Sequence, residues 1–498
     1  MQHGILFNVV EFPHLSRSLG VYRIAHYLRE QDLDIEVIDY ANFWSIEQLQ
    51  ELFRSRVTAD TTFIGFSHLF NIWFPVLEQF CEWVKTNYPT VTIVSGSAAN
   101  PSFDSRWIDY YIRGFGEHAI VELLKYVSGN GAKPKITLTM DGRRVIDAIH
   151  SYPAFPMKSL MVKYQDRDFI QPGEWLAVEF ARGCKFKCTF CNFPVLGVKE
   201  DYTRDARDFE LQMRDAYDRW GIVNYVVSDE TFNDRTEKIT KFADVVEQLN
   251  FDPVFMGYIR ADLMVSRPQE KEELLRMNFL GHYYGIETFD TASGKAVGKG
   301  MESQRIKQGI IDAKKYFNTH GTGLYRGSIG LIIGLPHESV DSIMETKQWL
   351  VDNWQEECYT VFPLNIPKGD VAKHSLFSTN YEKYGYTEMS EEEVAARSKL
   401  DSNNFRAAGI LKVTSASGYE DTLIWKNKHM DFFQAQELTD DLVAMKYQHD
   451  FRPSNYTLAQ RLGPPRDTAQ RLSLNNLQFK QLLDNDFVSI YIEKKLGI

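Results

Sequence analysis

Short apolar runs alternate with amphipathic stretches along residues 2–130, and this alternation constrains the fold more than any other feature of the sequence. The runs "HGILFNVV", "DIEVIDY", "TFIGFSHL" and "VTIVSGSA" have the length of strands, and the segments between them carry apolar residues at helical spacing. This order predicts an open parallel sheet of the Rossmann or flavodoxin-like kind. Ligands of such sheets lie beyond the carboxyl ends of the strands, so we expect a pocket at the loops 9–19, 67–71, 95–100 and 113–117.

The same alternation returns in the middle of the chain. Helical segments, among them residues 203–220, separate six further predicted strands: "WLAVEF", "NYVVSDETFND", "PVFMGYIRADLM", "GHYYGIETFD", "LYRGSIGLIIGLPHES" and "CYTVFPLNIP". Several of these strands run directly into acidic or basic residues. The pattern predicts a second α/β unit whose polar residues collect at the carboxyl ends of its strands.

Composition narrows the class of protein. The 498 residues are enough for two or three domains, and 44% hydrophobic with 25% charged residues is typical of a globular protein. The net charge of -11 disfavours an extended nucleic-acid surface. We expect no membrane span and no signal peptide, because we find neither a long apolar run nor a basic segment leading into one. Five cysteines, an odd number, fit a reducing cytoplasm better than a disulfide framework.

Three of the five cysteines lie together in "RGCKFKCTFCNFP", with the spacing C-x3-C-x2-C at Cys184, Cys188 and Cys191. Structural zinc sites use four ligands, usually in two pairs, and Cys81 and Cys358 are isolated, although a histidine could supply a fourth ligand. Closely spaced thiolates fit an iron–sulfur cluster better. Three protein ligands on a four-iron cube leave one iron open for a substrate or a cofactor.

This cysteine motif, with an aromatic residue before its last cysteine and a strand before its first, resembles the radical S-adenosylmethionine (radical SAM) family. The resemblance implies a partial (β/α)6 barrel and a [4Fe–4S] cluster whose unique iron chelates the amino and carboxylate groups of SAM. It also implies a one-electron donor such as a flavodoxin or ferredoxin, and reductive cleavage of SAM to methionine and a 5′-deoxyadenosyl radical.

The first two strand ends after the cysteine motif match further segments of that family. "SDETF" stands where the family's G-G-E segment holds the amino group of SAM, which implies Asp229 and Glu230 as SAM contacts. "YIRAD" stands where relatives contact the ribose and carboxylate, and the arginine fork of Arg260 suits a carboxylate.

The next two strand ends continue the match. "GIETF" resembles the segment near the ribose and implies Glu287. "GLIIGLPHE" resembles the G-x-I-x-G segment, followed by a glutamate, whose backbone contacts adenine, and it implies Gly334 and Glu338.

The first half resembles the cobalamin-binding-type domain that precedes many radical SAM barrels. The matching pieces are "SHL" at Ser67 to Leu69, "SGSA" around Gly96, and "GFGEHAIVELL". The family's D-x-H-x-x-G motif, whose histidine can ligate cobalt, is absent, and the first loop reads "VEFPHLSRSLG". This argues against ligation of cobalt by that histidine but leaves cobalamin binding open, with a scaffold domain as the alternative. We interpret His14 and His68 as polar loop residues rather than cobalt ligands.

The resemblance divides the chain into a cobalamin-binding-type domain (1–135), a connector (136–172), a radical SAM barrel (173–365) and a mostly helical cap (366–498). The first functional hypothesis from this resemblance is cobalamin-dependent methyl transfer to an unactivated carbon. The second is a rearrangement, oxidation or coupling without cobalamin, and the third is an inactive protein that carries a cluster. The substrate is not defined, although a small molecule or a peptide is favoured over nucleic acid.

Overall fold

The computed structural model describes residues 3–9, 17–68, 75–97, 105–139, 142–151, 161–191, 202–368, 375–401, 422–449, 451 and 488–498. No helix in these ranges is both long enough and apolar enough to cross a membrane.

A parallel sheet forms the N-terminal unit. Its strands are β1 (His3–Val9), β2 (Asp34–Ile38), β3 (Thr61–His68), β4 (Thr92–Ser97), β5 (Tyr110–Arg113), β6 (Thr137–Leu138) and β7 (Arg144–Asp147). Its helices are α1 (Leu19–Arg29), α2 (Ile46–Arg56), α3 (Pro75–Asn87), α4 (Glu117–Val127) and α5 (Ala148–Ser151).

The strand order of this sheet is β2-β1-β3-β4-β5-β7-β6, and every neighbouring pair is parallel except β6 with β7. The order reverses between β1 and β3, which is the topological switch point where such sheets bind ligands. The expected open parallel sheet is therefore confirmed. Strands β6 and β7 extend it into residues 136–172, where the sequence predicted a connector.

A second sheet follows. Its region contains the strands β8 (Trp175–Val178), β9 (Ala181–Arg182), β10 (Tyr202–Thr203), β11 (Asn224–Val227), β12 (Val254–Ile259), β13 (Phe279–Glu287), β14 (Arg326–Ile333) and β15 (Cys358–Pro363). The helices are α6 (Ala206–Trp220), α7 (Thr236–Val246), α8 (Ala261–Ser266), α9 (Glu270–Arg276), α10 (Thr291–Ala296), α11 (Ser303–His320) and α12 (Val340–Asn353).

Six of these strands form one parallel sheet in the order β15-β14-β13-β12-β11-β8, so each strand pairs with the next main strand along the chain. This sequential order is that of a barrel wall rather than a doubly wound sheet. The two edge strands β8 and β15 do not pair, which leaves the barrel partial, as predicted. Because all six strands are parallel, their carboxyl ends meet at one edge.

The C-terminal third contributes the helices α13 (Leu376–Thr379), α14 (Glu391–Asp401), α15 (Phe432–Gln448) and α16 (Ser489–Leu496), with the strand pair β16 (Thr387–Glu388) and β17 (Trp425–Lys426). Helix α15 packs on β15 and β14, and α16 packs on α2 of the N-terminal unit. Tyr491 and Lys495 of α16 reach β2, where the Lys495 ammonium lies 2.9 Å from the Glu36 carboxylate. Helix α16 therefore packs against the N-terminal unit.

A buried ion network joins the N-terminal unit to the barrel. The guanidinium of Arg17 donates to Asp39 at 2.8 Å and to both oxygens of Glu174 at 2.7 and 2.8 Å. Glu174 lies next to β8, and all three side chains are buried. Burying these charges is tolerated because each one is paired.

Candidate functional site at the barrel edge

The cysteine loop leaves the sheet at the end of β8 and is fixed there by a buried carboxylate. One oxygen of Asp229 accepts hydrogen bonds from the amides of Phe180 at 2.7 Å and Ala181 at 3.1 Å. The other oxygen faces Lys238, whose nitrogen lies 3.5 Å away. Burial raises the pKa of Asp229 to about 6, against the lowering effect of Lys238 and the two amides. These contacts hold the chain just before Cys184, so they favour a positioning role for Asp229 over direct contact with SAM.

The three cysteines lie on one loop, with Cys188 buried and Cys184 and Cys191 partly buried, and none forms a disulfide. The Cys191 amide donates to the Cys188 carbonyl at 3.1 Å, and the Cys184 sulfur lies 3.8 Å from the Thr231 hydroxyl. Within the described residues, no three His, Cys, Asp or Glu side chains are gathered closely enough to hold a metal ion. The thiols thus share a loop without converging, as is common where metal binding itself completes the site.

Arg260, at the end of β12, reaches this loop. One terminal nitrogen donates to the Cys188 sulfur at 3.4 Å, and the guanidinium stacks over the Phe186 ring with 4.0 Å to its centroid. Its other two nitrogens donate to the two carboxylate oxygens of Asp262 at 3.0 and 2.6 Å. Asp262 thus occupies two nitrogens of the guanidinium that was predicted to bind the carboxylate of SAM. The third nitrogen faces the sulfur of Cys188.

Asn233 fixes the backbone of Arg260 and was not singled out as a site residue in the sequence. Its side-chain oxygen accepts from the Arg260 amide at 2.8 Å, and its nitrogen donates to the Arg260 carbonyl at 3.0 Å and to Glu270 at 3.1 Å. Asn233 is fully buried. An asparagine a few residues after a strand is common, so the sequence alone did not indicate these hydrogen bonds to Arg260.

Glu230 is the one predicted carboxylate in this edge with an uncommitted buried oxygen. Its Oε2 atom is buried and has no hydrogen-bond partner. Burial raises the pKa of Glu230 to about 8, and the negative charges of Asp229 and Glu179 add to the rise. A buried carboxylate without a partner is a site for a cation or a hydrogen-bond donor.

Glu287 and Glu338 have partners within the chain. The Glu287 carboxylate lies 3.4 Å from the Lys299 ammonium. Glu338 accepts hydrogen bonds from the Thr288 hydroxyl at 2.8 Å and from the amides of Gly334 at 2.7 Å and Leu335 at 3.2 Å. Glu338 therefore shapes the turn after β14, and burial raises its pKa to about 7.

In the N-terminal sheet, the predicted pocket residues Ser67 and Gly96 are register neighbours on β3 and β4. The Ser67 hydroxyl lies 3.7 Å from the position that a Cβ on Gly20 would take, which brings the start of α1 to the same end of the sheet. The Ser95 hydroxyl is buried without a hydrogen-bond partner. Leu69 and His14, and the side chain of His68, lie outside the described residues.

A second buried ion pair connects this end of the N-terminal unit to the cysteine loop. Arg182, two residues before Cys184, lies 2.7 Å from Glu117 at the start of α4 and 2.7 Å from Glu179. Its guanidinium also covers the Phe115 ring at 4.4 Å. The arginine of "RGC" and the glutamate of "GFGE" were both visible in the sequence, but their contact joins two domains and leaves no local pattern.

Residues 178–350 match the family model described as Radical SAM superfamily. The chain carries a radical SAM domain. This domain spans the cysteine loop and the strand ends described above, which places Cys184, Glu230, Arg260 and Glu338 at one edge of it. A comparison with curated proteins gave no match.

Solved structures resemble the whole architecture around the radical SAM domain. The methyltransferase TsrM from Kitasatospora setae, with cobalamin and a [4Fe–4S] cluster bound, has a TM-score of 0.64 at 13% identity and covers 100% of both chains. The same enzyme with tryptophan substrate and aza-SAM has a TM-score of 0.60 at 13% identity over 78% of each chain. The cobalamin-dependent radical enzyme OxsB, with aqua-cobalamin and SAM, has a TM-score of 0.55 at 18% identity over 77% of this chain. The match spans only 56% of OxsB. At these identities the likeness is one of fold.

Proposed function

We propose that this protein is a radical SAM enzyme that binds a [4Fe–4S] cluster through Cys184, Cys188 and Cys191 and uses cobalamin to transfer a methyl group to a carbon atom. The observation that carries the proposal is that the cysteine loop and Glu230 follow the neighbouring strands β8 and β11, and that the Oε2 atom of Glu230 is buried without a hydrogen-bond partner. Both lie at the carboxyl edge of the six-stranded sheet. Three thiols can ligate a cluster, and the uncommitted oxygen of Glu230 can accept a hydrogen bond from the amino group of SAM.

Residues at the carboxyl edge of the six-stranded sheet would each have a different role. When bound and reduced by an external one-electron donor, the cluster would supply the electron that cleaves SAM to methionine and a 5′-deoxyadenosyl radical. Glu230 would hold the positively charged amino group, Asp229 would fix the start of the cysteine loop, and Arg260 would place its positive charge beside the Cys188 sulfur. A cluster with a net negative charge is stabilised by such a neighbour.

The N-terminal sheet supports the cobalamin part of the proposal. Its strand order reverses between β1 and β3, and the small residues Ser67, Gly96 and Gly20 leave room at that end. The solved structures of the neighbours TsrM and OxsB contain bound cobalamin. The alternative function is a rearrangement, oxidation or coupling without cobalamin, in which this sheet serves as a scaffold.

Anaerobic reconstitution with iron and sulfide tests the cluster. We expect about four irons per chain and SAM cleavage to methionine and 5′-deoxyadenosine in the presence of a reductant. Cys184→Ala, Cys188→Ala and Cys191→Ala should each lose the cluster and SAM cleavage. Cys358→Ala, a buried cysteine outside the loop, is the control and should keep both. A loop variant that keeps iron and activity would refute the assigned ligands.

Cobalamin titration then separates the two functions. Methyl transfer requires tight binding of cobalamin to the reconstituted protein, seen as a change in the cobalamin absorbance spectrum. An absence of binding, together with intact SAM cleavage, would leave the cobalamin-independent function.

A further inference from the structure

A short segment of the C-terminal third contacts the cysteine loop. The amide of Phe377, in helix α13, donates a hydrogen bond to the Thr189 carbonyl at 2.8 Å. Thr189 lies between Cys188 and Cys191 in the chain, and Phe377 is buried. This backbone contact places α13 against the segment that carries the proposed cluster ligands.

The same part of the chain also contacts the turn after β14. The hydroxyl of Tyr386, which is fully buried, donates to the Gly334 carbonyl at 2.5 Å. The Gly334 amide donates to the buried carboxylate of Glu338 at 2.7 Å. Both backbone polar groups of Gly334 are therefore held by buried side chains, and one of these side chains comes from the C-terminal third.

Packed aromatic rings join the two contacts. The ring of Tyr386 lies 5.3 Å from that of Phe377 and 5.2 Å from that of Trp425 on β17, measured between centroids. The interplanar angles are 71° and 81°, and edge-to-face packing of this kind is favourable. All three rings are buried. We call Phe377, Tyr386 and Trp425 the aromatic bridge, because they connect the cysteine loop to the turn after β14.

The end of helix α10 joins the same two segments from within the barrel. The Thr189 amide donates to the Val297 carbonyl at 3.2 Å, and the Ser293 hydroxyl donates to the Pro336 carbonyl. Val297 and Ser293 are fully buried. The cysteine loop and the turn after β14 are thus linked twice, once by α10 and once by the aromatic bridge.

We propose that Tyr386 is a positioning residue for SAM and that the aromatic bridge makes the C-terminal third part of the SAM site. The inference rests on the proposed function and on the family resemblance, which puts the amino and carboxylate groups of SAM at the cluster and its adenine at the turn after β14. A ligand that spans two segments binds more tightly when their separation is already fixed, because less ordering is left to the binding step. Tyr386 acts through the Gly334 carbonyl.

Tyr386→Phe tests the inference, because it removes the hydroxyl and keeps the ring in the aromatic bridge. SAM binding to the anaerobically reconstituted full chain is measured by calorimetry without a reductant. We expect Tyr386→Phe to bind SAM about tenfold more weakly than the unsubstituted protein. Its iron content should stay at about four per chain, because the cysteine loop keeps its contacts to Phe377 and Val297.

Tyr359→Phe is the matched control. Tyr359 is also fully buried, and its hydroxyl donates to the Leu442 carbonyl of α15, so a tyrosine hydroxyl again joins the barrel to the C-terminal third. Tyr359→Phe should lower the free energy of unfolding in urea about as much as Tyr386→Phe does. It should leave SAM affinity unchanged, because this bond holds a helix and not the turn after β14.

Two results would overturn the inference. Tyr386→Phe could bind SAM as tightly as the unsubstituted protein, or Tyr359→Phe could weaken SAM binding as much as Tyr386→Phe, which would indicate a general loosening of the C-terminal third. Iron content and SAM cleavage of the unsubstituted protein are measured on the same preparations. Absence of both would refute the proposed function, and the inference with it. Intact cleavage with either of the two results would refute the role of Tyr386 alone.

Discussion

The carboxyl edge of the six-stranded sheet carries two glutamates, Glu230 and Glu338, that differ in their hydrogen bonds. Glu338 is buried and accepts three hydrogen bonds, whereas Glu230 is partly buried and its buried Oε2 atom accepts none. Burial of an acid favours its neutral form, and only Glu230 retains an oxygen free for a ligand. The two glutamates are therefore predicted to respond in opposite ways to substitution.

Glu230→Gln should stabilise the protein without SAM and weaken SAM binding. The pKa of Glu230 is raised to about 8, so its ionisation opposes folding increasingly as the pH rises from the unfolded-state pKa of about 4.5 to 8. The gain in melting temperature should thus be larger at pH 8.5 than at pH 5. SAM affinity of the unsubstituted protein, measured by calorimetry, should rise through pH 8, and this rise should disappear in the variant.

Glu338→Met is the comparison. It removes the oxygen that accepts from both the Gly334 and the Leu335 amides, so it should destabilise the protein by about 1–3 kcal/mol. Equal effects of the two substitutions on stability would contradict the distinction between them.

Arg260→Gln should make the reconstituted cluster harder to reduce. The substitution removes a positive charge and a donor 3.4 Å from the Cys188 sulfur, and both favour the reduced, more negative state. Potentiometric titration followed by electron paramagnetic resonance should give a lower midpoint potential. Arg276→Gln, a partly exposed arginine paired with Asp244 and Glu247, is the control. An unchanged midpoint in Arg260→Gln would refute this role.

At the scale of elements, the turn after β14 depends on a glycine. Gly334 has φ +98°, and a Cβ there would lie 2.5 Å from the ring of Trp425 on β17. Trp425 is fully buried and donates to the Leu364 carbonyl at 2.9 Å, so it cannot move freely. The positive φ and the close ring together require glycine.

Gly334→Ala should lower the free energy of unfolding by more than about 2 kcal/mol, from backbone strain and displacement of Trp425. Gly221→Ala is the matched control, since Gly221 also has a positive φ, +67°, but has no atom within 4 Å of its added Cβ. Urea unfolding of both variants separates two effects. Both variants carry the backbone strain of a positive φ, whereas only Gly334→Ala also clashes with Trp425. Similar losses in the two variants would show that Trp425 does not constrain the turn.

At the scale of the whole molecule, buried charge pairs hold the N-terminal unit against the barrel. Glu117 and Arg182 form one such pair, and the Arg17 network is another. Each contact joins a residue of the N-terminal unit to a residue next to β8 or in β9, and Arg182 lies two residues before Cys184. A fixed spacing between the two units follows from pairs that water cannot screen.

Glu117 and Arg182 should be energetically coupled. Glu117→Gln should destabilise the protein by about 1–3 kcal/mol, because Arg182 loses one charged partner but keeps Glu179. Glu117→Gln combined with Arg182→Met should lose less than the sum of the two single variants, as measured by urea unfolding. The exposed pair Arg276–Glu247 should show additive changes within about 0.5 kcal/mol. Additive losses for Glu117 and Arg182 would contradict the coupling.

The two parallel sheets were predictable from the sequence, because strand and helix periodicities are local and repeat along the chain. The shared edge of Cys184, Glu230 and Arg260 was predictable as well, because the carboxyl ends of neighbouring parallel strands meet. The hydrogen bonds between Asp262 and Arg260 and the free oxygen of Glu230 became visible only in the folded chain. These outcomes depend on which distant residues come into contact, and hydrogen bonding and burial between such residues leave no periodic mark in the sequence.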